Sequence, residues 1–109
     1  MADNFYTPEG IKSLRKLRSL RPELFKAFVE FDTKVFEEGA LNVKTKELIA
    51  VAAAHITQCP YCIDTHVKRA VAAGATEEEV AESVFVAMAL RAGGAFAHGS
   101  VAMHSLEHE

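Results

Sequence analysis

The sequence predicts an all-α fold of about six helices, on three observations. No run alternates apolar and polar residues with β-branched or aromatic enrichment between turn signals, so no strand is expected. Apolar residues recur instead at helical spacing through most of the chain. Helix punctuation is frequent: Pro8, Pro22 and Pro60 are each placed to open a helix, and Gly39 and Gly74 follow apolar runs. At 109 residues the chain is read as one domain, spanning 1–109, with room for one modest core.

Residues 1–6 read as a loose start. Thr7-Pro8-Glu9 then supplies a cap, a first-turn proline and a first-turn acid, followed by Ile11, Leu14, Leu17 and Leu20 at helical spacing. Lys12, Arg15, Lys16 and Arg18 lie between them, the solvated basic face of an amphipathic helix. Pro22 opens a second helix, whose Leu24, Phe25, Phe28, Phe31, Val35 and Phe36 form a stripe read as core packing, with Gly39 as the stop.

A third helix runs from near Lys44 to about Thr57. Leu48 to Ile56 is apolar on almost every face, which implies burial on all sides and, in so small a chain, covering by a second subunit. The fourth helix carries the two cysteines and stops at Gly74. Thr76-Glu77-Glu78-Glu79 is a capping box that starts the fifth. Gly93-Gly94 is expected to break or bend the chain before a last helix, Ala95 to about Leu106. The small residues between Ala87 and Ala97 imply close packing there.

Charge and composition narrow the partners. A net charge of −3 supplies no basic field for a phosphate backbone, so no nucleic acid is expected. Leu48 to Ile56 is too short to span a bilayer, and no membrane association is expected. Met1 to Phe5 has no basic region leading into an apolar run, so no secretory signal is read. Two cysteines cannot build the disulfide framework of a small secreted domain. The expected location is cytoplasmic.

The chemistry is concentrated in Gln58-Cys59-Pro60-Tyr61-Cys62-Ile63-Asp64-Thr65-His66. With a helix starting at Pro60, Cys59 is its N-cap, Cys62 lies in the first turn, and His66 follows at i+4 on the same face. Both sulfurs then sit near the positive end of the helix dipole, which favours thiolate. Three readings are open for the pair. One is dithiol–disulfide redox chemistry, since the spacing brings the sulfurs into bonding range. A second is two inert buried cysteines. The third is half of a zinc site completed by His66 and Glu47. Redox chemistry is the working reading.

The neighbouring candidates carry paired readings as well. His66 is a base in register with Cys62, or a histidine hydrogen-bonded on a helix flank. Glu47 is a solvated first-turn acid, or a partly buried carboxylate that moves protons. Tyr61 could relay a proton or merely pack. Asp64 complements the helix dipole, His55 reads as a satisfied core histidine, and His98 and His104 have no partner visible in the sequence.

Lys46-Glu47-Leu48-Ile49-Ala50, the small-residue helix, Cys59 to His66 and the downstream Gly-Ala-Thr-Glu-Glu-Glu-Val together resemble the alkylhydroperoxidase D / carboxymuconolactone decarboxylase family. The resemblance covers about residues 22 to 104. It implies an alkylhydroperoxidase D-like helical bundle, a homo-oligomer (trimer or hexamer), and a thiol-dependent hydroperoxide reductase that needs no bound cofactor. By the same resemblance Cys62 matches the peroxide-attacking thiol, Cys59 the resolving thiol that forms the redox disulfide with it, and His66 and Glu47 members of the proton relay. The family's peroxidase pattern often has histidine between the cysteines, where this chain has Tyr61. The decarboxylase branch lacks the cysteine pair. The implied partners are a hydroperoxide substrate and a dithiol reductant, lipoyl-like or thioredoxin-like. Two alternatives stand beside this reading: a general disulfide oxidoreductase on the same pair, and a non-catalytic helical oligomer that senses redox state or binds metal.

Overall fold

Five helices make up the computed structural model, which describes residues 7–108: α1 (Pro8–Leu20), α2 (Pro22–Val35), α3 (Val43–Thr57), α4 (Pro60–Ala72) and α5 (Glu77–Glu107). The loose start expected over residues 1–6, and Glu109, lie outside the described residues. No strand is present among them.

The caps explain where the helices begin. Thr7 Oγ1 accepts from the Gly10 amide at 2.9 Å, and Asn42 Oδ1 from the Thr45 amide at 2.8 Å. The capping box is complete: the Glu79 amide donates to Thr76 Oγ1 at 3.1 Å, and the Thr76 amide to Glu79 Oε1 at 2.9 Å. Helix α4 ends in a paired closure, with the Gly74 amide on the Val71 carbonyl and the Ala75 amide on the Ala70 carbonyl. That closure needs a left-handed residue, and Gly74 supplies it at φ 100°.

Helix α3 is the hub, packing against both α4 and α5, while α1 packs against α2. The buried apolar residues are few and mostly small: Val51 and Ala54 on α3, Ala70 on α4, Ala75 after it, and Ala87 on α5. Two polar links fix α3 to α5. Lys44 pairs with Glu79 at 2.9 Å near their N-termini, and Arg91 Nη1 donates to the Ile56 carbonyl at 2.8 Å near the C-terminus of α3.

The Lys44 hydrogen bond, followed by that from the Thr76 amide, holds the Glu79 carboxyl below the usual carboxylate range. A depressed carboxyl stabilises the fold above its unfolded pKa, and that contribution is lost as pH falls through the folded value. Glu79→Gln should therefore lower Tm at pH 7. The gap from the unaltered protein should narrow when the pH is taken from 7 to below the usual carboxylate range. Thermal melts at the two pH values check this.

One expectation is corrected. Gly93-Gly94 does not break the chain, and α5 runs unbroken for 31 residues. Glycine costs about 1 kcal/mol against alanine inside a helix, which weakens it without stopping it. Neither glycine turns left-handed, the conformation in which Gly74 closes α4. Among the described residues, nothing beyond the adjoining helix backbone comes within 4 Å of a Cβ placed on either glycine. Within this one chain helix α3 is covered on a single face. Its one covered face holds Glu47, Val51 and Ala54, while Ile49 is 53% exposed. Helices α4 and α5 are too few to surround it.

The uncovered apolar surface is extensive. Phe28, Phe31, Phe85, Leu90, Phe96 and Leu106 are all largely exposed. The chain presents 8675 Å² to solvent, against about 5,900 Å² for a folded monomer of its mass. Its radius of gyration is 18.2 Å, where about 13 Å is usual for this length. Helix α5 is also long and apolar enough, by length and composition, to cross a membrane.

Candidate active site

Helix α4 begins as its sequence requires. Pro60 occupies the first turn, where a missing amide costs nothing, and Cys59 is the N-cap in an extended conformation. The Cys62 amide donates to Cys59 Sγ at 3.3 Å, so a sulfur serves where serine or aspartate commonly caps. The two cysteines are joined in a disulfide, with Cα atoms 5.3 Å apart, inside the usual span for a bridge. Both sulfurs lie at the positive end of α4, so reduction releases thiols in a field that favours thiolate.

One turn beyond Cys62, His66 meets Glu47. The His66 Nδ1 to Glu47 Oε1 distance is 2.6 Å, and Glu47 is only 3% exposed. A carboxylate so buried is tolerated because it is paired. With Glu47 ionised, Nδ1 carries the proton, which leaves Nε2 as the free lone pair of a neutral ring. The carboxylate–imidazole arrangement is the one that orients a general base. It comes about because Glu47, in the first turns of α3, faces α4 rather than solvent.

Cys62 and His66 open onto one cavity of about 510 Å³, walled by apolar groups of α2 and α3 that include Val35, Phe36, Ile49 and Ala53. Cys59 does not line it. The cavity thus distinguishes the two sulfurs: Cys62 lines the space a ligand would occupy, and Cys59, the cap, does not.

The remaining candidates are placed as follows. The Tyr61 hydroxyl donates to the Thr7 carbonyl at 3.2 Å, which ties the start of α1 to the cysteine motif. Asp64 pairs with Lys68 at 3.0 Å in solvent. His55 is half-buried and hydrogen-bonds through Nδ1 to the Val51 carbonyl at 2.7 Å, one turn back on its own helix. His98 and His104 lie on α5 away from the cavity, and His104 stacks on His108. Among the described residues no group of three or more His, Cys, Asp and Glu is gathered to hold a metal, so the ligand set Cys59, Cys62, His66 and Glu47 is not assembled as one. Sequence reasoning missed two residues at the site. Phe36 stacks on the His66 ring, and Lys46 holds the end of α2 beside it.

Comparison with known proteins identifies the family. A model of the carboxymuconolactone decarboxylase family matches residues 22–104. An uncharacterised protein of the cox locus of Paracoccus denitrificans is 51% identical over 81 residues, covering 74% of this chain and 73% of that one. A Methanobacterium thermoautotrophicum crystal structure superposes with a TM-score of 0.74 at 36% identity, over 78% of this chain and 96% of the other. A carboxymuconolactone decarboxylase family protein from Legionella pneumophila, in its apo form, gives 0.69 at 39% identity, over 77% and 75%. A Thermotoga maritima member of the family, for which an antioxidative role has been suggested, gives 0.56 at 32% identity, over 74% and 93%. The chain belongs to the carboxymuconolactone decarboxylase family.

Proposed function

We infer that this protein is a thiol-dependent hydroperoxide reductase of the alkylhydroperoxidase D type. The observation that carries the reading is the convergence, on one apolar cavity, of Cys62 and a histidine held by a buried glutamate. The antioxidative role suggested for the Thermotoga maritima relative points the same way.

The chemistry follows from the placement. In the reduced protein, His66 Nε2 takes the Cys62 thiol proton, and Glu47 stabilises the imidazolium through Nδ1–H. The thiolate attacks the nearer peroxide oxygen, an S–O bond forms, and the O–O bond breaks. The departing alkoxide takes the proton from His66 and leaves as an alcohol, with Cys62 now a sulfenic acid. The Cys59 thiolate then attacks that sulfur. The hydroxyl, protonated as it departs, leaves as water, and the Cys59–Cys62 disulfide forms. An external dithiol, lipoyl-like or thioredoxin-like, reduces the bridge by exchange. Its N-cap position makes Cys59 a good leaving thiolate in that last step, because the Cys62 amide remains to stabilise it. Such recycling thiols belong to the cytoplasm, where we place the protein. The apolar cavity walls favour an organic hydroperoxide over hydrogen peroxide.

The reading includes a homo-oligomer, a trimer or hexamer. The chain exposes about 2,700 Å² more than a folded monomer of its mass, which is the scale of an obligate interface. A solution mass three or six times that of the chain is expected, in detergent-free buffer and independent of added lipid. A stable monomer, or a particle soluble only with lipid, would contradict it.

The test of function is consumption of an organic hydroperoxide by the reduced protein with a dithiol reductant. Turnover is expected. Absence of turnover with every hydroperoxide, beside normal exchange with a disulfide substrate, would instead establish a general disulfide oxidoreductase.

A further inference from the structure

His66 is held from two directions by residues distant in sequence. Glu47 fixes one edge of its ring through Nδ1. Phe36, the residue that closes α2, covers a face, with ring centroids 5.1 Å apart and planes inclined by 23°. One hydrogen bond leaves an imidazole free to tilt about that bond, and a second ring against its face removes the freedom. General-base catalysis needs that restriction, since a small misplacement of the accepting nitrogen costs rate steeply.

Phe36 does not reach His66 by extensive packing of α2, whose only substantial helix contact is with α1. It is delivered by a local anchor. Lys46 Nζ donates to the Val35 carbonyl at 2.7 Å and also to the Glu37 carbonyl, the residues on either side of Phe36. The Phe36 amide donates to the Asp32 carbonyl at 3.2 Å, closing the last turn. Carbonyls at a helix C-terminus lack intrahelical partners and carry partial negative charge, so an ammonium group is a favourable cap there. The two anchors are adjacent in sequence. Lys46 secures the turn that bears Phe36, and Glu47 secures the imidazole that Phe36 covers.

We propose that Phe36 is a positioning residue for His66, set in place by the Lys46 cap on the end of α2. The proposal rests on the reading of His66 as the base for Cys62. Because Phe36 also lines the cavity, its test uses reporters that carry no bulky tail.

In a Cys59→Ser background, where Cys62 is the one thiol, two readouts are compared for the parent, Phe36→Leu and Phe36→Tyr. The first is the ring-current displacement of the His66 imidazole proton signals by NMR. The second is the rate of Cys62 alkylation by iodoacetamide at neutral pH. Phe36→Leu should abolish the displacement and slow alkylation by about tenfold, while Phe36→Tyr keeps the displacement and reacts within about twofold of the parent. His66 signals that do not move in Phe36→Leu would overturn the proposal. So would alkylation at the parent rate in Phe36→Leu, or equal slowing in Phe36→Tyr. If Phe36→Leu does not fold, Lys46→Met serves in its place: the His66 signals should shift in the same direction, and unchanged signals overturn the role of the cap. Neither readout uses peroxide, so a protein that fails to consume hydroperoxide refutes the proposed function without deciding this point.

Discussion

Cys62→Ser is expected to bring hydroperoxide turnover to background, a fall of about 10³-fold or more, because a hydroxyl at that position supplies no nucleophile at neutral pH. Cys59→Ser should behave differently. It reacts once with peroxide and then stalls, since the sulfenic acid on Cys62 has no internal thiol to condense with. The asymmetry follows from the fold: the cavity reaches Cys62 and not Cys59, although both sit in the same turn. Single-turnover and steady-state assays on the two variants separate attack from resolution. Equal effects on the first turnover would mean that the assignment of the two sulfurs is wrong.

Glu47→Gln should reduce turnover by about a hundredfold while the protein remains folded. The amide oxygen still accepts from His66 Nδ1–H, so the buried site stays satisfied. What is lost is the negative charge that stabilises the imidazolium as the Cys62 proton is taken. His66→Ala should damage both activity and fold, because it strands the Glu47 carboxylate inside the protein. Breaking a buried pair in this way costs about 3 kcal/mol. Denaturant melts alongside rates distinguish the two variants. A Glu47→Gln protein with unchanged rate and stability would reduce the contact to scaffolding.

The sequence made the helices and their starts legible because caps are local. Thr7, Cys59 and Thr76 each satisfy an amide three residues ahead, a relation written in nearby letters. The Cys59, Cys62 and His66 register was legible for the same reason, being internal to one helix. Glu47 stood open to two readings as a first-turn acid, and the resemblance of its surroundings to a known family favoured the proton-moving one. Nothing local brings residue 47 to residue 66; the crossing of α3 and α4 does so.

Phe36 and Lys46 were hidden for that reason in stronger form. As letters, Phe36 is one more member of an apolar stripe and Lys46 one more first-turn cation. Their meaning depends on where α2 ends against α3. Gly93-Gly94 misled in the opposite sense. A glycine pair is a strong local break signal, but each glycine costs a helix only about 1 kcal/mol, which α5 tolerates. The apolar letters of α3 were read as buried on all sides, which within a single chain they are not. Helical periodicity reports that a face will be covered without saying which chain covers it.

The central claim is that Cys62 is the sulfur oxidised by hydroperoxide. Its most direct test is to treat reduced Cys59→Ser protein with one equivalent of an organic hydroperoxide, trap with dimedone, and locate the adduct by mass spectrometry. A stoichiometric adduct on Cys62 is predicted. An unmodified Cys62 under conditions that consume the peroxide, or no consumption at all, would contradict it.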